Sequence, residues 1–341
     1  MRIPRTPEFN VIAKYFTRPV KRAHLSIGDD CALIDVTPGK QLAISTDTLV
    51  SNVHFFADAA PEMLGHKALA VNLSDLAAMG ATPRYFTLAI TLPAINETWL
   101  GAFAAGMFRL ADQFEIELIG GDTTNGPLSM TLTVIGQVAP ARALRRDNAK
   151  AGDDIWVSGS LGGAALALKH LQGKARLKPS LQPRALAELL MHLHMPQPRV
   201  ALGMRLAGVA NAAIDISDGL IADLGHIATR SNLGARINYD SILYHPALLS
   251  VKAAERNACM LTGGDDYELC FTAPLSAHEK IRSISSDMGL ALTNIGIMTA
   301  LDSTASASPG ITLIDANGVE IDIANLSSLG FDHFAARTVT T

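Results

Sequence analysis

Residues 61–80 read PEMLGHKALAVNLSDLAAMG, and the architecture of the chain can be worked out from this stretch. Its apolar side chains recur at helical spacing, and Gly80 is a natural stop after the last turn. Tyr85–Leu92 then alternates as a strand does, and Pro93 ends it. A helix that leads directly into a strand predicts an α/β fold.

The same patterns continue on both sides of this helix and strand. Before them, the sequence predicts a helix at Glu8–Phe16 and a strand at Gln41–Thr46. After them, it predicts a helix at Thr98–Phe114 and strands at Glu117–Ile119 and Met130–Val138. These elements predict a first α/β domain over residues 1–140, and the basic, turn-rich residues 141–152 are interpreted as a linker.

A second α/β domain is predicted over residues 153–334. Its predicted elements are the strand Asp154–Ser158, a helix entered through residues 158–163, a helix between Pro179 and Pro198, the strand Ala212–Ile216, the helix Gly219–Arg230 and the strand Tyr267–Phe271. The sequence also predicts a mobile low-complexity loop at Ser303–Pro309 and a flexible tail at residues 335–341.

Composition excludes several classes of protein. The 341 residues are 48% hydrophobic and 18% charged, which allows a large core and argues against disorder. A net charge of −4 offers no basic excess for nucleic acid. The sequence has no apolar run long enough to span a membrane and no signal-peptide pattern, so a cytoplasmic location is expected. The three cysteines form neither a disulfide framework nor a zinc site.

Short polar motifs that contain aspartate follow apolar strands or lie near helix ends at six places. They are Gly28-Asp29-Asp30, Ser45-Thr46-Asp47-Thr48, Asn72-Leu73-Ser74-Asp75, Gly120-Gly121-Asp122-Thr123, Asp215-Ile216-Ser217-Asp218-Gly219 and Gly263-Gly264-Asp265-Asp266. Carboxylate and hydroxyl oxygens are the ligands that Mg²⁺ prefers. Ligand sites in α/β sheets lie at the ends of strands, so the pattern predicts a magnesium cluster held mainly by aspartates.

Single motifs also allow simpler interpretations. Gly28-Asp29-Asp30 alone is typical of a surface turn. The hydroxyls of Ser45–Thr48 are as typical of a capping turn as they are of a metal site. Asp218 could cap the helix that follows it. Asp75 is harder to explain in this way, because the negative pole of a helix C-terminus disfavours an anion unless a cation compensates for it.

The common nucleotide-binding motifs are absent from the sequence. There is no Gly-x-x-x-x-Gly-Lys-Ser/Thr loop and no His-Arg-Asp kinase loop, and the glycines at residues 159–163 do not fit the dinucleotide fingerprint. The histidines show no metal-binding spacing. A nucleotide site in this chain must therefore be built differently.

Taken together and in this order, the aspartate motifs resemble those of the thiamine-monophosphate kinase family, from about residue 8 to Phe334. The resemblance implies the reaction of ATP with thiamine phosphate to give ADP and thiamine diphosphate, the last step in forming that product. It also implies the α/β fold shared with aminoimidazole ribonucleotide synthetase, with two domains and a homodimer formed by the N-terminal domains.

The resemblance implies roles for individual residues. The implied magnesium ligands are Asp30, Ser45, Thr46, Asp47, Asp75, Asp122, Asp215 and Asp218. The implied nucleotide contacts are Gly121, Asp122, Arg146 and Ser217. The implied substrate contacts are His54, Asp265 and Phe331. Asp47, Asp122 and Asp218 are expected to be the catalytic residues among them.

The sequence departs from the family pattern at two positions. Asp265 stands where the family often has glutamate, so a shorter carboxylate must reach the same place. Ala104 takes the position of a tyrosine that often faces the nucleotide.

The chemistry explains why such residues are needed. The acceptor is a phosphate oxygen that is already anionic, so no general base is required. Two polyanions must instead meet, and each close pair of unit charges costs about 1 kcal/mol in water and about 4 kcal/mol at an effective dielectric of 20. Magnesium offsets this repulsion and orients the transfer. The sequence therefore predicts direct in-line transfer without a phosphoenzyme.

Three alternatives remain open at this stage. A related ATP-dependent enzyme of the same fold shares some of the motifs, although no cysteine precedes Cys31 as a selenophosphate synthetase would require. A non-catalytic sensor of nucleotide or divalent cation would bind ATP without releasing ADP. A two-metal phosphohydrolase would release inorganic phosphate without an acceptor.

Overall fold

The structure is a computed structural model that describes residues 6–175, 177, 183–301, 310–321 and 330. The chain divides into two compact units, Met1–Ala143 and Leu144–Thr341. The predicted loop at Ser303–Pro309 lies outside the described residues, and so do Phe331 and residues 335–341. No helix in the described part of the chain is long and apolar enough to cross a membrane.

The N-terminal unit consists of a four-stranded sheet covered on one face by two long helices. Its strands are β1 (Gln41–Val50), β2 (Thr82–Leu92), β3 (Glu117–Asn125) and β4 (Ser129–Val138), and its helices are α1 (Pro7–Val11, continued as a π-turn over Ile12–Phe16), α2 (Pro61–Ala78) and α3 (Glu97–Gln113). The sheet order is β1-β4-β2-β3, in which only β2 and β3 are parallel.

Two glycines bring α2 and α3 into backbone contact. A Cβ atom added at Gly65 would clash with the carbonyl oxygen of Phe103, and one added at Gly106 would clash with that of Glu62. Phe103 itself is fully buried, and its ring stacks on that of Trp99 one turn earlier in α3. This close packing fixes α2, which carries Asn72 and Asp75, over the sheet.

The C-terminal unit is built on a mixed seven-stranded sheet in the order β11-β10-β7-β9-β5-β8-β6. Its strands are β5 (Asp154–Ser158), β6 (Ala212–Asp215), β7 (Leu233–Asn238), β8 (Leu269–Ala273), β9 (Leu292–Ala300), β10 (Ile311–Ile314) and β11 (Glu320–Ile321). Its helices are α4 (Gly163–Leu171), α5 (Pro183–His194), α6 (Val200–Leu206), α7 (Leu220–Ser231), α8 (Ala253–Thr262) and α9 (His278–Met288). Only β7 and β10 pair in parallel.

Buried acidic residues hold the turn between β5 and α4. The partly buried Asp266 accepts a hydrogen bond from the backbone N–H of Gly162 at 2.8 Å, at the start of α4. Glu268 accepts hydrogen bonds from Ser158 Oγ at 2.5 Å and from Nε and Nη2 of the Arg199 guanidinium. Part of the sixth acidic motif is therefore structural.

The predicted helices and strands are confirmed in position, but three strands of the N-terminal unit are longer than predicted. β2 begins at Thr82 instead of Tyr85, and β1 and β3 extend further at their ends. β1 continues to Val50, so Ser45–Thr48 lies within the strand rather than at its end. β3 continues to Asn125, so Gly120, Gly121 and Asp122 lie within the strand rather than after it. In both cases pairing with a neighbouring strand extends the element through polar residues. The spacing of apolar residues in the sequence alone does not show this extension.

Candidate active site

The face of β1 that packs against α2 carries a carboxylate and a hydroxyl beside those of the helix. Ser45 Oγ donates a 2.5 Å hydrogen bond to Asp75 Oδ2. The backbone N–H of Asp47 donates to Asn72 Oδ1 at 3.2 Å, and Asn72 Nδ2 donates to the carbonyl of Ala68. Asn72 is fully buried, so α2 and the edge strand β1 are joined through a fixed amide.

Asp47 and Asp75 form a pair of like charges. Burial, and then the charge of Asp75, raises the pKa of Asp47 from 3.8 to about 6. Asp75 lies in the last turn of α2, at the pole that disfavours an anion. The hydrogen bond from Ser45 favours the charge of Asp75, but the two carboxylates repel each other, and a divalent cation between them would offset that repulsion.

Other predicted ligands of the N-terminal unit lie apart from this pair. Thr46 points to the opposite face of β1, because strand residues alternate, and there its hydroxyl pairs with that of Thr133 at 2.8 Å. Asp122 is exposed on β3, three strands from β1, a backbone separation of about 14 Å. Asp30 is exposed in a turn, where its backbone N–H donates a hydrogen bond to Asp29 Oδ1. The described residues contain no group of three His, Cys, Asp or Glu side chains that could hold one metal ion.

His54 has a fixed ring orientation. Its Nδ1 accepts a 3.0 Å hydrogen bond from the backbone N–H of Val50, at the end of β1. A neutral imidazole that accepts at Nδ1 carries its proton on Nε2. The predicted substrate residue thus has a defined tautomer, and it lies next to the end of β1, the strand that carries Asp47.

The C-terminal unit presents Asp215, Ser217 and Asp218 on one short loop between β6 and α7. Asp215 ends β6 and is 4% exposed, whereas Ser217 and Asp218 are partly exposed. The loop is held from α7 by Asp223 Oδ2, which accepts hydrogen bonds from the N–H groups of Ser217, Asp218 and Gly219 at 3.0, 3.0 and 3.1 Å. Burial raises the pKa of Asp223 to about 7.

The predicted substrate residue Asp265 lies against this loop. Its backbone N–H donates to the carbonyl of Ser217 at 2.9 Å, and its Oδ1 accepts from the hydroxyl of Tyr267 at 3.1 Å. Gly330 also lies here, since its Cβ position is 3.1 Å from the carbonyl oxygen of Asp218. The structure therefore brings the fifth and sixth acidic motifs together and places the residue before Phe331 beside them.

Arg146 is exposed in the segment that opens the C-terminal unit. Its carbonyl accepts a 2.8 Å hydrogen bond from Ser231 Oγ, in the last turn of α7. The neighbouring Arg145 instead forms an ion pair with Asp147. The same helix therefore contacts the Asp215–Gly219 loop at one end and the backbone of the predicted nucleotide-binding arginine at the other.

Sequence reasoning missed three acidic residues that support these motifs, Asp223, Asp266 and Glu268. Asp266 and Glu268 were visible inside an acidic motif, but adjacent carboxylates do not reveal which one faces the core. Asp223 gave one usable signal: an acidic residue four positions after a glycine at a helix start can reach back to unpaired N–H groups.

The possible metal ligands described above are all oxygen atoms, the type that magnesium prefers. Asp47, Asp75 and Ser45 of the N-terminal unit offer carboxylate and hydroxyl oxygen, and so do Asp215, Ser217 and Asp218 of the C-terminal unit. Neither group contains a nitrogen or sulfur ligand, which would favour zinc or copper.

Comparison with known protein families places both units in one group. The family described as AIR synthase related protein, N-terminal domain, matches residues 28–138, and the corresponding C-terminal domain family matches residues 150–306.

Individual proteins give closer matches. The thiamine-monophosphate kinase of Salmonella typhimurium is 45% identical over 96% of this chain and 98% of its own length, and that of Bacillus subtilis is 33% identical over 85% and 90%. The crystal structure of thiamine-monophosphate kinase from Stenotrophomonas maltophilia superposes with a TM-score of 0.79 at 46% identity, covering 89% of this chain and 94% of that one. A structure of AaThiL complexed with AMPPCP and TMP gives a TM-score of 0.72 at 27% identity, covering 91% and 92%.

Proposed function

The chain belongs to the thiamine-monophosphate kinase family, and from this membership we propose the reaction that it catalyses and the residues that carry it. The protein is a kinase that phosphorylates thiamine phosphate with ATP to give thiamine diphosphate and ADP. AaThiL, whose structure holds the ATP analogue AMPPCP together with TMP, supports this pair of substrates. As an ATP-consuming kinase the protein acts in the cytoplasm.

The pairing of Asp47 with Asp75 is the observation that carries the magnesium part of the proposal. Two carboxylates held together, one of them with a pKa raised to about 6, form a site that a divalent cation stabilises. Bound magnesium supplies positive charge that offsets the repulsion between the phosphates of donor and acceptor. Ser45 orients Asp75 through its short hydrogen bond, and Asn72 holds the backbone of Asp47.

The remaining roles divide between the two units. In the N-terminal unit, Asp30 and Asp122 bind metal ions apart from the Asp47–Asp75 pair, and Thr46, whose hydroxyl lies on the opposite face of β1, binds through its backbone carbonyl. Gly121 contacts the nucleotide through its backbone, and it is a glycine because a Cβ there would meet the carbonyl oxygen of Leu88 on β2. In the C-terminal unit, Asp215 and Asp218 bind metal, and Ser217 and Arg146 bind the nucleotide phosphates. Asp47, Asp122 and Asp218 act directly at the transferred phosphoryl group.

The thiamine phosphate is bound by His54, Asp265 and Phe331 in this proposal. The Nε2–H group of His54 donates to a phosphate oxygen, a role that the fixed tautomer allows. The carboxylate of Asp265 faces the cationic thiazolium ring, and Tyr267 holds that carboxylate in place. Transfer is direct and in line, because the acceptor oxygen needs no deprotonation.

A homodimer formed through the N-terminal unit is part of the proposal. The face of the four-stranded sheet opposite α2 carries Leu42 and Ile44, which are 39% and 61% exposed. Apolar residues on a face that is otherwise lined by threonine hydroxyls are typical of a surface that a second copy covers.

A coupled assay of ADP release tests the reaction. Thiamine phosphate should support turnover with ATP and magnesium, whereas thiamine and pyridoxine should not. ADP formation that needs no acceptor, with release of inorganic phosphate, would instead indicate a phosphohydrolase. Binding of ATP without any ADP release would indicate a sensor. Rapid-quench trapping of a phosphorylated protein would contradict direct transfer.

A further inference from the structure

Asp223 accepts hydrogen bonds from three consecutive backbone N–H groups through one oxygen atom. The three donors belong to Ser217, Asp218 and Gly219, at 3.0 to 3.1 Å. The side chain is 2% exposed, so water does not replace these bonds. Three converging amides around one carboxylate oxygen fix the backbone of the whole loop.

The position of Asp223 in α7 explains why it reaches the loop. Gly219 precedes the helix and has no side-chain oxygen with which to cap it, and its φ of 118° belongs to glycine. Asp223 N–H donates to the carbonyl of Gly219, and its side chain turns back over the same turn. A simple helix cap satisfies N–H groups inside the helix, whereas two of these three donors precede Gly219 and belong to the loop itself.

We infer that Asp223 is a positioning residue for the Asp215–Asp218 loop, and that it sets the magnesium affinity of this loop without touching the ion or the substrates. This inference rests on the proposed function, in which Asp215 and Asp218 bind metal and Ser217 binds the nucleotide. Residues that orient metal ligands in this way typically contribute about 10- to 100-fold in metal affinity or activity.

Asp153 provides a matched control in the same unit. It is also a buried aspartate, 3% exposed, and it accepts hydrogen bonds from Lys150 N at 2.9 Å, from Asn211 Nδ2 at 2.9 Å and from Thr272 Oγ1 at 3.3 Å. None of these partners belongs to the Asp215–Asp218 loop. Asp153→Asn therefore reports the general cost of disturbing a buried carboxylate.

The experiment measures binding of Mn²⁺ by electron paramagnetic resonance on the full chain in the presence of AMPPCP. Asp223→Ala should weaken Mn²⁺ binding by about 10- to 100-fold. Asp223→Asn, which keeps one acceptor oxygen without the charge, should weaken it less than alanine and more than Asp153→Asn does. Hydrogen exchange of the amides of residues 217–219 should accelerate in both Asp223 variants and stay unchanged in Asp153→Asn.

Asp215→Asn separates failure of this inference from failure of the proposed function. If Asp215→Asn loses Mn²⁺ affinity and the Asp223 variants lose no more than Asp153→Asn, the positioning role is wrong and the metal site stands. If Asp215→Asn also binds as the wild type does, the metal assignment itself is wrong. Where Asp223→Ala does not fold, Asp223→Asn is judged by the same comparison.

Discussion

Asp47 shows at the scale of one residue how a binding site costs stability. Its carboxylate is partly buried next to Asp75, and both effects raise its pKa and disfavour its charge. Asp47→Asn should therefore raise the melting temperature measured without divalent cations, while it abolishes kinase turnover. Circular dichroism would check the fold, and differential scanning calorimetry the stability.

Asp122→Asn is the control for this prediction. Asp122 is exposed on β3, so the substitution should leave the melting temperature unchanged and still abolish turnover. Activity close to that of the wild type in either variant would contradict the metal assignment.

His245 predicts a second effect at this scale, a loss of stability in mild acid. Burial and then the neighbouring His192 of α5, 4.7 Å away between ring centres, lower the pKa of His245 from 6.5 to about 4, and Glu188 opposes them. A lowered folded pKa means that stability is fully present above pH 6.5 and is lost as pH falls towards 4. Because the His245 ring is only partly buried and solvent screens its charge, the free energy of unfolding should fall by no more than about 1 kcal/mol from this group between pH 7.5 and pH 5.

His245→Asn tests this without removing the local hydrogen bond. The amide oxygen of asparagine can accept from the N–H of Ala247 as His245 Nδ1 does, but it does not titrate. Urea unfolding at both pH values should show a shallower pH dependence in this variant. An unchanged dependence would assign the acid sensitivity to other groups.

The contact between α2 and α3 matters at the scale of elements, because α2 carries Asn72 and Asp75. Gly106→Ala should separate the two helices, since its Cβ meets the carbonyl oxygen of Glu62. We expect a loss of more than about 1–3 kcal/mol, the usual cost of overpacking, together with a higher magnesium requirement for turnover. Calorimetry and a magnesium titration of activity measure the two effects.

Gly101→Ala in the same helix is the matched control. The nearest atom to its Cβ is Tyr15 Cε1 at 3.7 Å, an ordinary contact, so this alanine should stabilise α3 by about 0.5–1 kcal/mol. Equal destabilisation by both variants would show that the close helix contact is not what fixes α2.

The elements also show what sequence can and cannot predict. The helix Pro61–Ala78 follows from apolar period and a glycine stop, which are local properties. The continuation of β1 to Val50 does not, because it depends on β4, where Thr48 faces Thr131 at 2.8 Å between hydroxyl oxygens. The pairing of Ser45 with Asp75 was visible only as two polar motifs 30 residues apart. Aspartates in a sequence predict a kind of ligand, and only packing decides which of them meet.

At the scale of the whole molecule, membership of the kinase family gives the reaction. The proposed homodimer depends instead on the exposed face of the N-terminal sheet. Among the described residues of the N-terminal unit, the helices α2 and α3 lie on one face of the sheet, and the other face exposes Leu42 and Ile44 on the edge strand β1. An uncovered apolar sheet face is a liability in a monomer, which favours burial between two copies.

Ile44→Lys should therefore convert a dimer into a monomer. Ile44 is 61% exposed, and a lysine at its position would place a charge in the proposed interface, where burial without a partner costs several kcal/mol. Light scattering should show the mass fall from twice 36.1 kDa to 36.1 kDa. Leu275→Lys is the control, because Leu275 is 71% exposed on the C-terminal unit and should leave the mass unchanged. A wild-type protein that is already monomeric at micromolar concentration would contradict the proposed dimer. An Ile44→Lys variant that stays dimeric would place the interface elsewhere, since an unpaired charge buried on this face would disrupt the dimer.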